Sequence, residues 1–192
     1  MRYEIGIAGS GEQEVVLMGD ILAQAAASVN GLFLSQTRRY DITGGGGKAE
    51  SNLVISDDSI DYPGITGLDL LLTLSQEGYE RNVGKLKREG LLVVDPQLVK
   101  KIVYSKILRI PFTKIARERF NGSMVIHMIA IGALTELCQC IPPTATRGAI
   151  SANYKGEACQ LNLASFQEGM AYAANSRRMG FERVEEGQEM EI

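Results

Sequence analysis

The first thirty residues leave this chain few architectures. Residues 3–8 are a short apolar run of strand length, Gly9-Ser10-Gly11 breaks it, and residues 15–29 then repeat apolar side chains at helical spacing. Asn30-Gly31 supplies residues able to take the left-handed angles that stop a helix. Strand, turn and helix in that order predict a strand buried on both faces, with its helix laid back over a parallel sheet.

The alternation continues for more than a hundred residues. Residues 32–35, 52–56, 68–74, 91–94 and 107–110 have the length and apolarity of inner strands, and the polar stretch 77–89, with Val83 and Leu86 on one side, predicts a surface helix ending at Gly90. Beyond Pro111 the character changes. Residues 112–120 are amphipathic, 124–141 are mostly apolar, and 157–178 place Leu161, Phe166 and Met170 at helical spacing. The expected fold is therefore α/β: a single Rossmann-like domain over residues 1–180 with a mainly parallel sheet and a helical C-terminal third. Residues 182–192 hold five glutamates and no apolar period, so 181–192 are expected to be an acidic tail. The helix over 124–141, apolar on most sides, must be covered; the central core is favoured over an interface.

A chain of 192 residues, 45% hydrophobic, buries a substantial core and is short for two ordinary domains. Its net charge of -3, from 23 acids and 20 bases, provides no global basic field, which argues against nucleic acid or an anionic membrane as partner. Arg2 is followed by Tyr3 and Glu4, and the longest apolar run is broken by His127, Glu136 and Gln139. The expectation is a cytoplasmic protein without targeting signal or membrane span. Cys138, Cys140 and Cys159 lack the spacing of a zinc site or the four thiolates of an iron–sulfur cluster, and are expected to be reduced core thiols.

Gly9-Ser10-Gly11-Glu12-Gln13-Glu14 stands where a Rossmann phosphate loop would stand. Glu14, however, occupies the place of the third glycine, and Glu12 adds a second carboxylate that would repel a pyrophosphate. NAD or FAD is disfavoured, and the two acids are expected to favour the helix dipole and cap free N–H groups. Four glycines, 44–47, lie between the cations Arg38, Arg39 and Lys48, a composition suited equally to cradling an anion or partner and to plain flexibility. His127, the only histidine, has no local nucleophile or acid at a catalytic spacing and is expected to be a satisfied core or interface residue. There is no H-E-x-x-H, P-loop or G-x-S-x-G, so an internal catalytic centre is not expected.

Residues 5–19, IGIAGSGEQEVVLMG, resemble the opening I-A-G-x-G-G-Q-G-V-x-x-x-G of the gamma subunits of 2-oxoacid:ferredoxin oxidoreductases. The resemblance continues through Tyr40 to Gly47, where that family has Y-G-P-E-x-R-G-G, and through residues 54–63 and Asp69. It persists over 87–95, 128–134 and 162–169, and so spans nearly the whole chain. Glu12 and Glu14 replace two family glycines, Gly45 replaces the arginine before Gly46-Gly47, and His127 stands where asparagine is common.

The resemblance implies a heteromeric complex that oxidatively decarboxylates a 2-oxoacid, with a weak lean to 2-oxoglutarate. It forms an acyl-coenzyme A and passes two electrons to ferredoxin. Thiamine diphosphate, magnesium and the iron–sulfur clusters would sit on partner subunits: alpha, beta and an optional ferredoxin-like delta. This chain would bind none of them and would help shape the coenzyme A site at its interface. The elements suited to that are Gly9, Gly11 and Gln13 in the first turn and Gly44, Gly46 and Gly47 in the glycine run, with Arg38, Arg39 and Lys48 facing the phosphates. Two alternatives stand beside it: a structural scaffold without ligand contact, and a divergent stand-alone nucleotide-binding protein.

Overall fold

The computed structural model describes residues 1–41, 47–122, 125–179 and 182–183. Gly44, Gly45 and Gly46, the side chain of Glu12 and most of the acidic tail lie outside the described residues. Among those described, the order is β1 (Arg2–Ser10), α1 (Val15–Ala27), β2 (Phe33–Asp41), β3 (Lys48–Ser56), β4 (Leu68–Thr73), α2 (Gln76–Asn82), β5 (Leu86–Val94) and β6 (Lys106–Arg109). Then follow α3 (Phe112–Phe120), α4 (Ile126–Cys138), α5 (Pro143–Asn153), α6 (Gly156–Met179) and β7 (Glu182–Arg183).

The strands form one sheet in the order β2-β3-β1-β4-β5-β6-β7. β1, β4, β5 and β6 run parallel; β3 is antiparallel to both its neighbours, and β7 is antiparallel to β6. Five strands thus share one direction. Side chains alternate across the sheet, so Ile5, Ile7, Leu70 and Leu72 face α1 and α4 in the larger core, while Leu71 and Leu92 face Tyr79 and Val99 in a smaller one. The α/β class and helical C-terminal third are as the sequence predicts. α4 is the central helix: residues 127–135 are all buried between the sheet and α6.

Four local features differ from the expectation. β2 and β3 form an antiparallel hairpin and β3 lies between β1 and β2, so β3 is antiparallel to both neighbours within the mainly parallel sheet that was expected. The helix expected over 77–89 stops at Asn82 and a 3-10 turn leads into β5. Lys87, Arg88 and Glu89 are exposed strand residues, polar because nothing covers them there. α5 was not expected; Pro143 in its first turn is the start signal. Glu182–Arg183, inside the expected tail, adds a two-residue strand to β6.

A candidate ligand cleft at the carboxyl edge of the sheet

α1 carries the chain from β1 to one side of the sheet, and α2 carries it from β4 to the other. β1 and β4 are hydrogen-bonded neighbours, so the crevice beyond their carboxyl ends is a topological switch point, the place where open α/β sheets bind ligands. A cleft of about 150 Å³ lies there, walled by Gly9 and Ser10 of β1, Gly47 to Glu50 entering β3, and Ser75, Glu77, Gly78 and Arg81 of α2.

The first glycine segment meets Gly47 beside this cleft. The Gly11 amide donates to the Gly47 carbonyl at 3.1 Å, and a Cβ on Gly11 would stand 2.5 Å from the Tyr40 hydroxyl. Gly47 has φ +61, a left-handed angle that disfavours a side chain. Gln13 does not point its amide at the cleft: its Oε1 accepts from the Ser10 N–H at 2.7 Å and its Nε2 donates to the Leu74 carbonyl at 2.6 Å. It ties the ends of β1 and β4 together, a positioning role.

Strand alternation separates the three cations. Arg38 lies on the α1 face, ion-paired to Asp20 at 2.8 Å, while Arg39, opposite Glu50 in the register, shares the α2 face with Lys48. Arg38 nevertheless lines, with Arg39, a second, adjoining cleft. Lys48 pairs with Glu77 at 2.5 Å. Glu50, buried, is approached by Arg81 at 3.5 Å and Lys85 at 3.9 Å and accepts from Asn82 Nδ2 at 3.2 Å. Glu50 also walls the second cleft, of about 350 Å³, together with Arg39, Asn52, Tyr62 and Lys85. Two adjoining clefts thus share a rim of five cations, Arg38, Arg39, Lys48, Arg81 and Lys85, against the carboxylates of Glu50 and Glu77. Sequence reasoning missed Arg81 and Lys85; Glu77, Arg81 and Lys85 at spacings of four were the available signal.

Glu14 does not cap α1. It takes a left-handed φ of 54 and makes no cap hydrogen bond; its Oε2 instead lies 2.6 Å from His127 Nδ1. Two of the residues at which this chain departs from the family pattern are therefore bonded to each other, across α1 and α4. Burial lowers the His127 pKa, with Glu14 opposing in part, so the imidazole donates to Glu14 in its neutral form. The sign of the pH effect follows. Below the ordinary value of about 6.5 the unfolded chain takes a proton that the native chain resists, so stability is full above that pH and is lost as pH falls toward the native value. His127→Asn is expected to flatten the fall in thermal midpoint between pH 7 and 5, a slope of at most about 1.4 kcal/mol per pH unit for one proton; an identical slope in the variant would remove His127 as its source.

These features define a class: an open α/β domain with a polar switch-point groove and, among the described residues lining it, no nucleophile–base pair. No group of acids, histidines and cysteines suited to a metal occurs among the described residues, and none of the described helices is long and apolar enough to cross a membrane. The chain belongs to the pyruvate ferredoxin/flavodoxin oxidoreductase family, which it matches over residues 4–172.

It is 36% identical over 177 residues to the 2-oxoglutarate synthase subunit KorC of Methanothermobacter thermautotrophicus, covering 88% of this chain and 94% of that protein. To the protein of the same name from Methanocaldococcus jannaschii it is 33% identical over 177 residues, covering 90% and 95%. Among solved structures, it superposes with a TM-score of 0.81 on the gamma subunit of a keto/oxoacid ferredoxin oxidoreductase from Geobacter sulfurreducens PCA, at 29% identity over 92% of this chain and 98% of that one. The 2-oxoglutarate:ferredoxin oxidoreductase from Magnetococcus marinus, solved with 2-oxoglutarate, coenzyme A and succinyl-CoA bound, gives 0.80 at 25% identity, over 91% of this chain and 31% of that longer one. The resemblance to the gamma subunits is correct.

Proposed function

We propose that this chain is the gamma-type subunit of a complex that oxidatively decarboxylates 2-oxoglutarate to succinyl-coenzyme A with reduction of ferredoxin, and that it forms part of the coenzyme A site. The name shared by its 33–36% identical relatives supports the substrate, and a structural neighbour holds coenzyme A and succinyl-CoA. The observation that carries the coenzyme A role is that Gly9 and Gly47, the latter held by the Gly11 amide, wall the first of two adjoining clefts rimmed by Arg38, Arg39, Lys48, Arg81 and Lys85. The two clefts measure about 150 and 350 Å³, and together they reach the size of ordinary small-molecule sites. The cations suit phosphates; Lys48, as a flexible point charge, suits them without bidentate geometry. Thiamine diphosphate, magnesium and the clusters belong, in this reading, to alpha, beta and delta partners, and catalysis to the assembly.

The test is purification of the complex followed by dye reduction dependent on 2-oxoglutarate and coenzyme A. Lys48→Met is expected to raise KM for coenzyme A roughly tenfold, about 1.4 kcal/mol, with the increase shrinking at high salt and decarboxylation intact. Lys48→Glu, which sets a like charge beside Glu77, is expected to do more. An unchanged KM in both variants of an intact complex would leave this chain a scaffold.

A further inference from the structure

The end of α4 holds two thiols that the function above does not use. We propose that Cys138 and Cys140 are a reversible oxidation site, closing to an intramolecular disulfide when the protein meets a hydroperoxide and reopening with a thiol reductant.

The geometry comes from the helix terminus. Cys138 is the last residue of α4, and Gln139 caps it with φ 55 and ψ -1. A residue with those angles turns the chain so that its flanking Cα atoms stand about 5.5 Å apart, inside the 4.4–6.8 Å range of disulfides. Cys138 Sγ donates to the Thr135 carbonyl at 3.6 Å, and the neighbouring Cys140 thiol, with the N–H groups of Ile141 and Cys140, holds the Cys138 pKa below the ordinary thiol value against its burial. Successive amides turned by a left-handed residue form an anion-receiving concavity, which favours the thiolate at Cys138. Gln139, with its amide oxygen turned to the Arg177 guanidinium, accepts from Nη2 at 3.1 Å and pins the turn against α6. Cys138 is 5% exposed and Cys140 half-buried, so Cys140 is the more accessible of the two thiols. Cys159 stands apart, its sulfur 3.8 Å from Ser151 Oγ.

The chemistry balances with the hydroperoxide as two-electron oxidant. The Cys138 thiolate attacks the terminal oxygen, the O–O bond breaks, and the alkoxide leaves as alcohol with the proton Cys138 gave up. Cys140 sulfur then attacks the sulfenic sulfur, the S–O bond breaks, and hydroxide departs as water with the Cys140 proton. The site sits beside Tyr3 near the start of β1, while the candidate cleft lies at its end. The two are separated by nearly the length of a nine-residue strand, on the order of 25 Å, so failure of one reading does not touch the other.

The experiment uses the full chain, alone and in its assembled complex, exposed to hydrogen peroxide, denatured in N-ethylmaleimide and weighed intact. Of the three cysteines, only Cys159 is expected to take the label, with a Cys138–Cys140 linked peptide lighter by two hydrogens and full labelling restored by dithiothreitol. Cys159→Ser is expected to keep that mass loss. Cys140→Ser is expected to abolish it and leave a sulfenic acid at Cys138 that dimedone traps. Labelling of all three after peroxide, a linkage through Cys159, or sulfinic acid at Cys138 with Cys140 still alkylated would each overturn the proposal.

Discussion

Gly169→Ala is expected to lower the melting temperature by roughly 6–12 °C, the response of a chain this size to about 3 kcal/mol. The reason is backbone against backbone. α4 and α6 cross so closely that a Cβ on Gly169 would lie 2.7 Å from the Ile129 carbonyl carbon and closer still to its oxygen. A Cβ on Gly132 would lie 3.0 Å from the Met170 amide and inside contact distance of the Phe166 oxygen. A flexible side chain could yield; two helical backbones in a packed core must separate, which places the cost at the upper end of overpacking effects. Gly132→Ala is expected to match it. Gly148→Ala in α5, where a Cβ meets nothing within 4 Å, is the opposite-sign control, expected to stabilise by about 0.5–1 kcal/mol because alanine loses less entropy in a helix. Thermal melts of the three variants decide the matter: equal behaviour of Gly169→Ala and Gly148→Ala would mean that the crossing is not tight.

That crossing also shows what was legible in advance. Residues 128–134 and 162–169 are two of the segments that carried the family resemblance, and they are the segments that touch, glycine to backbone. Nothing in the periodicity of either helix says which neighbour it meets. Local signals placed β1, α1, β4, α3, α4 and α6 to within a few residues because strand and helix periods are written in successive side chains. Strand order is not. β3 pairs with β1 through nine register positions, yet its own pattern reads the same whichever way the chain runs.

The candidate site was legible as segments and not as directions. Gly9, Gly11 and Gly47 do come together. Arg38 and Arg39 both line the second cleft, but β2 continues through them and adjacent strand residues face opposite ways, so Arg38 pairs with Asp20 on the α1 face; a strand read as ending at Ser35 conceals this. Glu50 and its neighbours Arg81 and Lys85 were hidden for a different reason. A buried carboxylate is tolerated only through its partners, and these arrive from α2 and the turn after it, about thirty residues on.

The same logic makes Glu4 the second large effect. Its carboxylate is fully buried and accepts from Arg2 Nε at 2.7 Å, the Thr66 N–H at 2.7 Å, Thr66 Oγ1 at 2.8 Å and the Gly67 N–H at 2.9 Å. Burial pushes its pKa up, and the hydrogen bonds from Gly67, Arg2 and Thr66 overcome that and hold it below the ordinary value. Glu4→Gln turns an amide donor toward groups that are all donors and leaves Arg2 without its counter-ion, at an expected cost of about 3 kcal/mol at pH 7. The native pKa lies below the unfolded one, so the carboxylate's contribution is complete above the unfolded value of about 4.3 and is lost as pH falls through the native one. Denaturant titrations of both proteins from pH 7 to pH 3 are therefore expected to show a wide gap in stability that narrows only below about pH 4.5. A gap constant over the whole range would place the loss in packing rather than in the charge of Glu4.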